Sequence, residues 1–146
     1  MKKNFLAVLF ALALCSPTFA QWKPAGDKIK TPWGEQLNPK NVLPEYPRPI
    51  MERQDWKNLN GSWNYAITKK GEAAPGNYQG EILVPFAVES SLSGVGKRIN
   101  EHQELWYQRT FDVPSSWKGK QILLHFGAVD WKADVWVNDV KVGEHT

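Results

Sequence analysis

The feature that most constrains this chain is a run of period-2 alternation that fills much of its last third. Apolar residues recur at every second position in Leu105, Tyr107, Phe111 and Val113, then in Ile122, Leu124 and Phe126, then in Trp131, Ala133, Val135 and Val137. That spacing belongs to strands with one buried face. Pro114 ends the first of them, and 115–119 (Ser-Ser-Trp-Lys-Gly) turn the chain back. Val137-Asn138-Asp139-Val140 is a two-residue hairpin signal, because Asn and Asp tolerate the positive φ of a type I′ turn. A return strand begins at 141–143. Arg109 breaks the pattern: it shares parity with Leu105, Tyr107 and Phe111, which aims a guanidinium inward. Burial there is costly unless acceptors meet it. The residue reads as an ion pair or carbonyl clamp, with a sugar contact as the sharper alternative.

Upstream, Trp56 and Leu59 are three apart, as on one helical turn. Asn60-Gly61 then turns the chain into a strand at 63–67. Asn60-Gly61-Ser62 is formally a glycosylation sequon; here it reads as a turn. Residues 69–79 form a polar loop, and 81–86 a second strand that exits at Pro85. The connection 87–104 carries Glu89, Ser90, Ser91, Ser93, Gly94 and Gly96; a loop of this length commonly binds something or is disordered. Six strand candidates result. No segment beyond residue 20 keeps a helical period for about ten residues. The expected fold is an all-β sandwich, an incomplete jelly roll, which when complete has about eight strands in two sheets.

The N-terminus is a separate matter. Lys2 and Lys3 precede an apolar run at 5–14, and Thr18-Phe19-Ala20 offers small residues for cleavage. The run is far shorter than the roughly 20 residues of a membrane span. It reads as a secretory signal peptide, residues 1–20, and predicts export to a bacterial periplasm or the extracellular space. The single cysteine, Cys15, lies inside it; Leu14 before it is large for a lipidation motif, so a lipid anchor is the weaker reading. Cleavage removes Lys2 and Lys3, so 18 Lys+Arg become 16 against 15 Asp+Glu, a balance of +1. A basic whole-chain pI is then no argument for nucleic acid or a membrane surface. Nor would any disulfide or thiolate metal site remain. Residues 21–50 hold six prolines (Pro24, Pro32, Pro39, Pro44, Pro47, Pro49) and no apolar period, so they pack as an extended arm or stay mobile. Residues 51–146 carry the fold.

Four pieces of the sequence share a resemblance. They are W-x-x-L-N-G-x-W at 56–63, W-Y-Q-R-T-F-D-V-P at 106–114, G-A-V at 127–129 and V-W-V-N-D-V-K-V-G-E-H at 135–145. Together they resemble the N-terminal sugar-binding domain of glycoside hydrolase family 2, which includes β-galactosidases and β-glucuronidases. The resemblance implies a jelly roll of the galactose-binding-domain type that is C-terminally truncated here. It also implies a downstream barrel bearing two catalytic glutamates. V-P-F-x-x-E-S at 84–90 resembles the stretch that approaches the substrate pocket, which brings in Glu89. The galactosidase branch uses a polar side chain near the place that Val84-Pro85 occupies here.

Chemistry within the chain is sparse. Glycoside hydrolysis usually needs two carboxylates, about 5 to 5.5 Å apart in the retaining geometry. No spacing here fixes such a pair among Glu81, Glu89 and Glu101, so no catalytic residue is assigned and the segment alone is expected to be inactive. His102, His125 and His145 share no metal-ligand spacing, and neither a metal nor a cofactor is expected. The loop serines lack a G-x-S-x-G context. Eight tryptophans remain, a residue that stacks on sugar faces. Trp63 and Trp106 read as packing. Trp136 falls on the solvent-side parity with Lys132 and Asp134, a place for another domain or the Pro-rich arm. Asp130 and Trp131 follow Gly127-Ala128-Val129 at a sandwich end, where packing competes with a sugar contact. Glu89, Asp130 and Trp131 are thus the candidate substrate contacts, with carbohydrate as the expected partner. The alternative reading is a free-standing carbohydrate-binding module without catalysis.

Overall fold

The computed structural model describes residues 22–146; the expected signal segment, Cys15 included, lies outside them. The described chain is all-β, built from antiparallel strands with one helical turn and three short 3-10 turns. It divides into two compact units, the first ending at Phe111 and the second comprising Asp112–Thr146.

In the first unit β1 (Gly61–Lys69) is central, with β2 (Gly80–Val84) and β3 (Gln103–Gln108) antiparallel on either side. Alternation decides the faces. Trp63 pairs with Ile82, Tyr65 with Gly80 and Tyr107, and Ile67 with Leu105, which puts these residues on one face. There Tyr65 and Ile82 are buried together with Val88, and Trp63, Ile67, Val95, Ile99 and Leu105 pack around them. Val88, Val95 and Ile99 come from the 87–104 connection. That loop therefore caps the sheet and is ordered by the apolar surface it buries.

The loop's serines have a structural task. Ser90 caps a 3-10 turn, Ser91–Ser93, by accepting from Leu92 N–H. The fully buried Ser93 hydroxyl lies 2.7 Å from Ser90 O and accepts from Val95 N–H at 3.0 Å. Small polar side chains that bond nearby backbone substitute for a ladder in this way.

Two local expectations are corrected within the first unit. Residues 56–60 form no helical turn. Asn58 competes for that backbone, accepting from Asn60 N–H at 2.7 Å while its amide donates to Leu43 O at 2.8 Å. Trp56 instead meets Tyr46 edge-on, with ring centroids 4.8 Å apart. The third strand also stops at Gln108 rather than running to residue 113. Within the Pro-rich arm Val42 is buried while Ile29, Trp33 and Ile50 are exposed, and the arm contains one helical turn, α1 (Pro32–Glu35), capped by the Thr31 hydroxyl.

In the second unit β4 (Ala133–Val137) and β5 (Val140–His145) form the expected hairpin, with φ of 48° at Asn138 and 65° at Asp139. Lys141 bridges Asp134 and Glu144, each at 2.7 Å. Residues 121–126 are not a strand despite their alternation, and Ile122, Leu124 and Phe126 are about half exposed. Alternation makes a segment able to pair; only a ladder partner makes it a strand. Trp136, expected on the outer parity, keeps 44% of its surface exposed.

Candidate functional site

Glu89 sits on the turn that follows β2, held by backbone rather than by its carboxylate. Ser90 N–H donates to Ala87 O, Lys97 N–H donates to Val88 O, and the Lys28 ammonium donates to Glu89 O at 3.1 Å. The carboxylate is exposed to solvent. Its charge is felt at Tyr107, a residue 41% exposed whose phenol is held above its ordinary value of 10.0, first by partial desolvation and then by the Glu89 charge. Tyr107 meets Trp63 edge-on, with ring centroids 6.5 Å apart. Glu89, Tyr107 and Trp63 thus link the candidate loop to the capped face of the sheet. Of these three, sequence reasoning singled out only Glu89 as a candidate contact; Tyr107 was read as part of a strand's alternation and Trp63 as packing.

Arg109 is the clamp its parity suggested. Nη1 donates to Leu59 O and, at 2.8 Å, to Asn60 O. Leu59 O also accepts from Trp63 Nε1 at 2.8 Å. The chain thereby enters β1 at a fixed angle, through Gly61 at φ +116°, a conformation that L side chains rarely adopt.

The opposite face of the same sheet carries a polar row. Asn64 pairs with Glu81 on one side and Gln108 on the other, and its amide donates to Gln108 Oε1 at 3.0 Å. A shallow groove of about 200 Å³ is lined by Ser62, Trp63 and Asn64 of β1, Glu81 of β2, and Gln108 to Thr110. It offers amide and hydroxyl groups but only one carboxylate, so it lacks the pair that glycoside hydrolysis uses.

Asp130 and Trp131 belong to the second unit, both exposed, Trp131 at 67%. The open indole is available as a stacking surface. Elsewhere His102 pairs with Glu101 at 3.7 Å, both exposed. Among the described residues no three His, Cys, Asp or Glu side chains converge to hold a metal, and no helix is long and apolar enough to cross a membrane.

Comparison with known proteins decides the family. Residues 95–146 match the family model for the sugar binding domain of glycosyl hydrolases family 2. This stretch is a family-2 sugar-binding domain.

Curated relatives agree. A β-glucuronidase of Paenibacillus borealis is 28% identical over 106 residues, 68% of this chain and 18% of the relative. A β-glucuronidase of Streptococcus agalactiae is 31% identical over 89 residues, 60% of this chain and 14% of the relative. A β-galactosidase of Thermoanaerobacter pseudethanolicus is 28% identical over 96 residues, 63% and 13% respectively. The chain thus spans less than a fifth of the length of these relatives. The family-2 match begins inside the 87–104 connection and takes in β3, Asp130, Trp131 and the β4–β5 hairpin.

Proposed function

We propose that the chain is the N-terminal sugar-binding segment of an exported glycosidase that hydrolyses O-glycosyl bonds, with a β-glucuronide as preferred substrate class. The match of 95–146 to the family-2 sugar-binding domain carries this reading. Two of the relatives above are β-glucuronidases, and Val84-Pro85 stands where the galactosidase branch has a polar side chain, which favours the glucuronide. A jelly roll, the architecture that the family resemblance implies, is part of this reading. Glu89 in the first unit is a proposed substrate contact through its carboxylate, and Asp130 and Trp131 in the second are proposed contacts through a carboxylate and an indole face, each taken by itself. The two hydrolytic carboxylates would lie in sequence outside residues 1–146, and residues 1–20 would direct export.

The test is hydrolysis of nitrophenyl β-glucuronide and β-galactoside by the complete product of the gene, beside residues 21–146 alone. Turnover of the glucuronide by the complete product and none by the segment is expected. A complete product that turns over neither, or an active pure segment, overturns the reading.

A further inference from the structure

The Pro-rich arm and the Glu89 loop are joined at five residue pairs, arranged as a strap. Ala25 N–H donates to Ser91 O at 2.8 Å, and the Ser91 hydroxyl donates back to Ala25 O at 2.6 Å. The Lys28 ammonium donates to the carbonyl of Glu89 itself. Trp22 lies so close to Gly94 that a Cβ there would stand 2.9 Å from its Nε1, and a Cβ on Gly96 would stand 2.9 Å from Ala25 Cβ. Gly34 of α1 rests against Leu92 at ordinary contact distance. Both close approaches need glycine for space as well as for positive φ.

The loop in turn sends Val88, Val95 and Ile99 into the core and fixes the backbone on both sides of Glu89 through the Ser90–Ala87 and Lys97–Val88 hydrogen bonds. Contacts therefore run from the arm to the backbone of the loop at Glu89, Ser91 and Gly94, which carries the Glu89 side chain. The Trp22 indole N–H is buried and has no acceptor among the described residues, so its role here is shape rather than hydrogen bonding.

We propose that Trp22 and Ser91 are positioning residues for Glu89, and that residues 22–34 act as the strap that holds the 86–99 loop in its working conformation. The link to a saccharide rests on the function proposed above; the strap itself does not.

The test measures amide hydrogen exchange in Trp22→Ala, Trp22→Phe and Ser91→Ala chains. Exchange should quicken by roughly tenfold at 86–99 in Trp22→Ala and Ser91→Ala, the loss expected when a hydrogen bond or a seated side chain is removed from a locally opening unit. Protection in β1 and β3 should hold. Trp22→Phe should stay near wild type, because the ring is kept and no hydrogen bond is lost. Unchanged exchange at 86–99, or equal losses across the sheet, overturns the strap. In the complete gene product, a KM for β-glucuronide raised by Glu89→Gln but not by Ser91→Ala would also overturn it. A KM unmoved by Glu89→Gln, with loop exchange quickened as expected, would instead remove the saccharide contact and leave the strap standing.

Discussion

Replacing Arg109 by methionine is the sharpest probe of how β1 is held. The guanidinium donates from Nη1 to two successive carbonyls, Leu59 O and Asn60 O. These acceptors are not equally dependent on it. Leu59 O keeps the Trp63 indole N–H at 2.8 Å, so only Asn60 O loses its side-chain donor. A hydrogen bond from a charged donor contributes about 1.5 to 3 kcal/mol, and methionine replaces most of the apolar stem, so the expected loss is about 2 kcal/mol. At about 4 to 8 °C per kcal/mol for a unit of this size, Tm should fall by about 8 to 16 °C. The assay is urea and thermal unfolding followed by tryptophan fluorescence, which the Trp63–Tyr107 contact should sensitise. Arg109→Lys should recover part of the loss, since one ammonium keeps the charge without the planar fork. A methionine variant within about 0.5 kcal/mol of wild type would show that the clamp holds nothing, since surface changes alone move stability that little.

Three further outcomes are expected. Glu89→Gln should lower the Tyr107 phenol pKa toward 10.0 without reaching it, because burial is the larger cause; ultraviolet titration of the phenol reads this directly. The β4–β5 hairpin should be best protected from exchange on a broad plateau. Asp134 is held below its ordinary 3.8 by the hydrogen bond from Lys141, so its contribution is present above 3.8 and lost as pH falls through the lower folded value. Lys141 is held above 10.5 by Asp134 and Glu144, so its contribution is present below 10.5 and lost as pH rises through the higher folded value. Finally, Asn138→Val should weaken the same hairpin by about 1 to 2 kcal/mol, because a β-branched residue resists the left-handed conformation at φ 48°; local exchange at 133–145 is the measure.

What could be read from the sequence was what short-range chemistry decides. Asn138-Asp139 specifies a hairpin by itself, and Pro85 ends a strand by lacking an N–H. Arg109 could be read in part: parity put a charge where acceptors had to meet it, and the structure supplies the Leu59 and Asn60 carbonyls. The losses came where long-range pairing decides. Residues 121–126 alternate as well as β4 does, yet no ladder holds them within their unit. The Trp56–Leu59 spacing gave way to Asn58, whose side chain captures both Asn60 N–H and Leu43 O. The arm's proline content says nothing about which loop it reaches, and its main contact joins residues 66 apart. Likewise Glu89 was accessible from its motif, whereas Tyr107 beside it followed only from the fold of the loop over β1 and β3.

The most direct measurement is a hydrogen-exchange footprint of the complete gene product with and without saturating glucuronate. The account predicts slowed exchange at 86–99 around Glu89 and at 127–132 around Asp130 and Trp131, with β1 unchanged. Glucuronate binding that protects neither segment would contradict it.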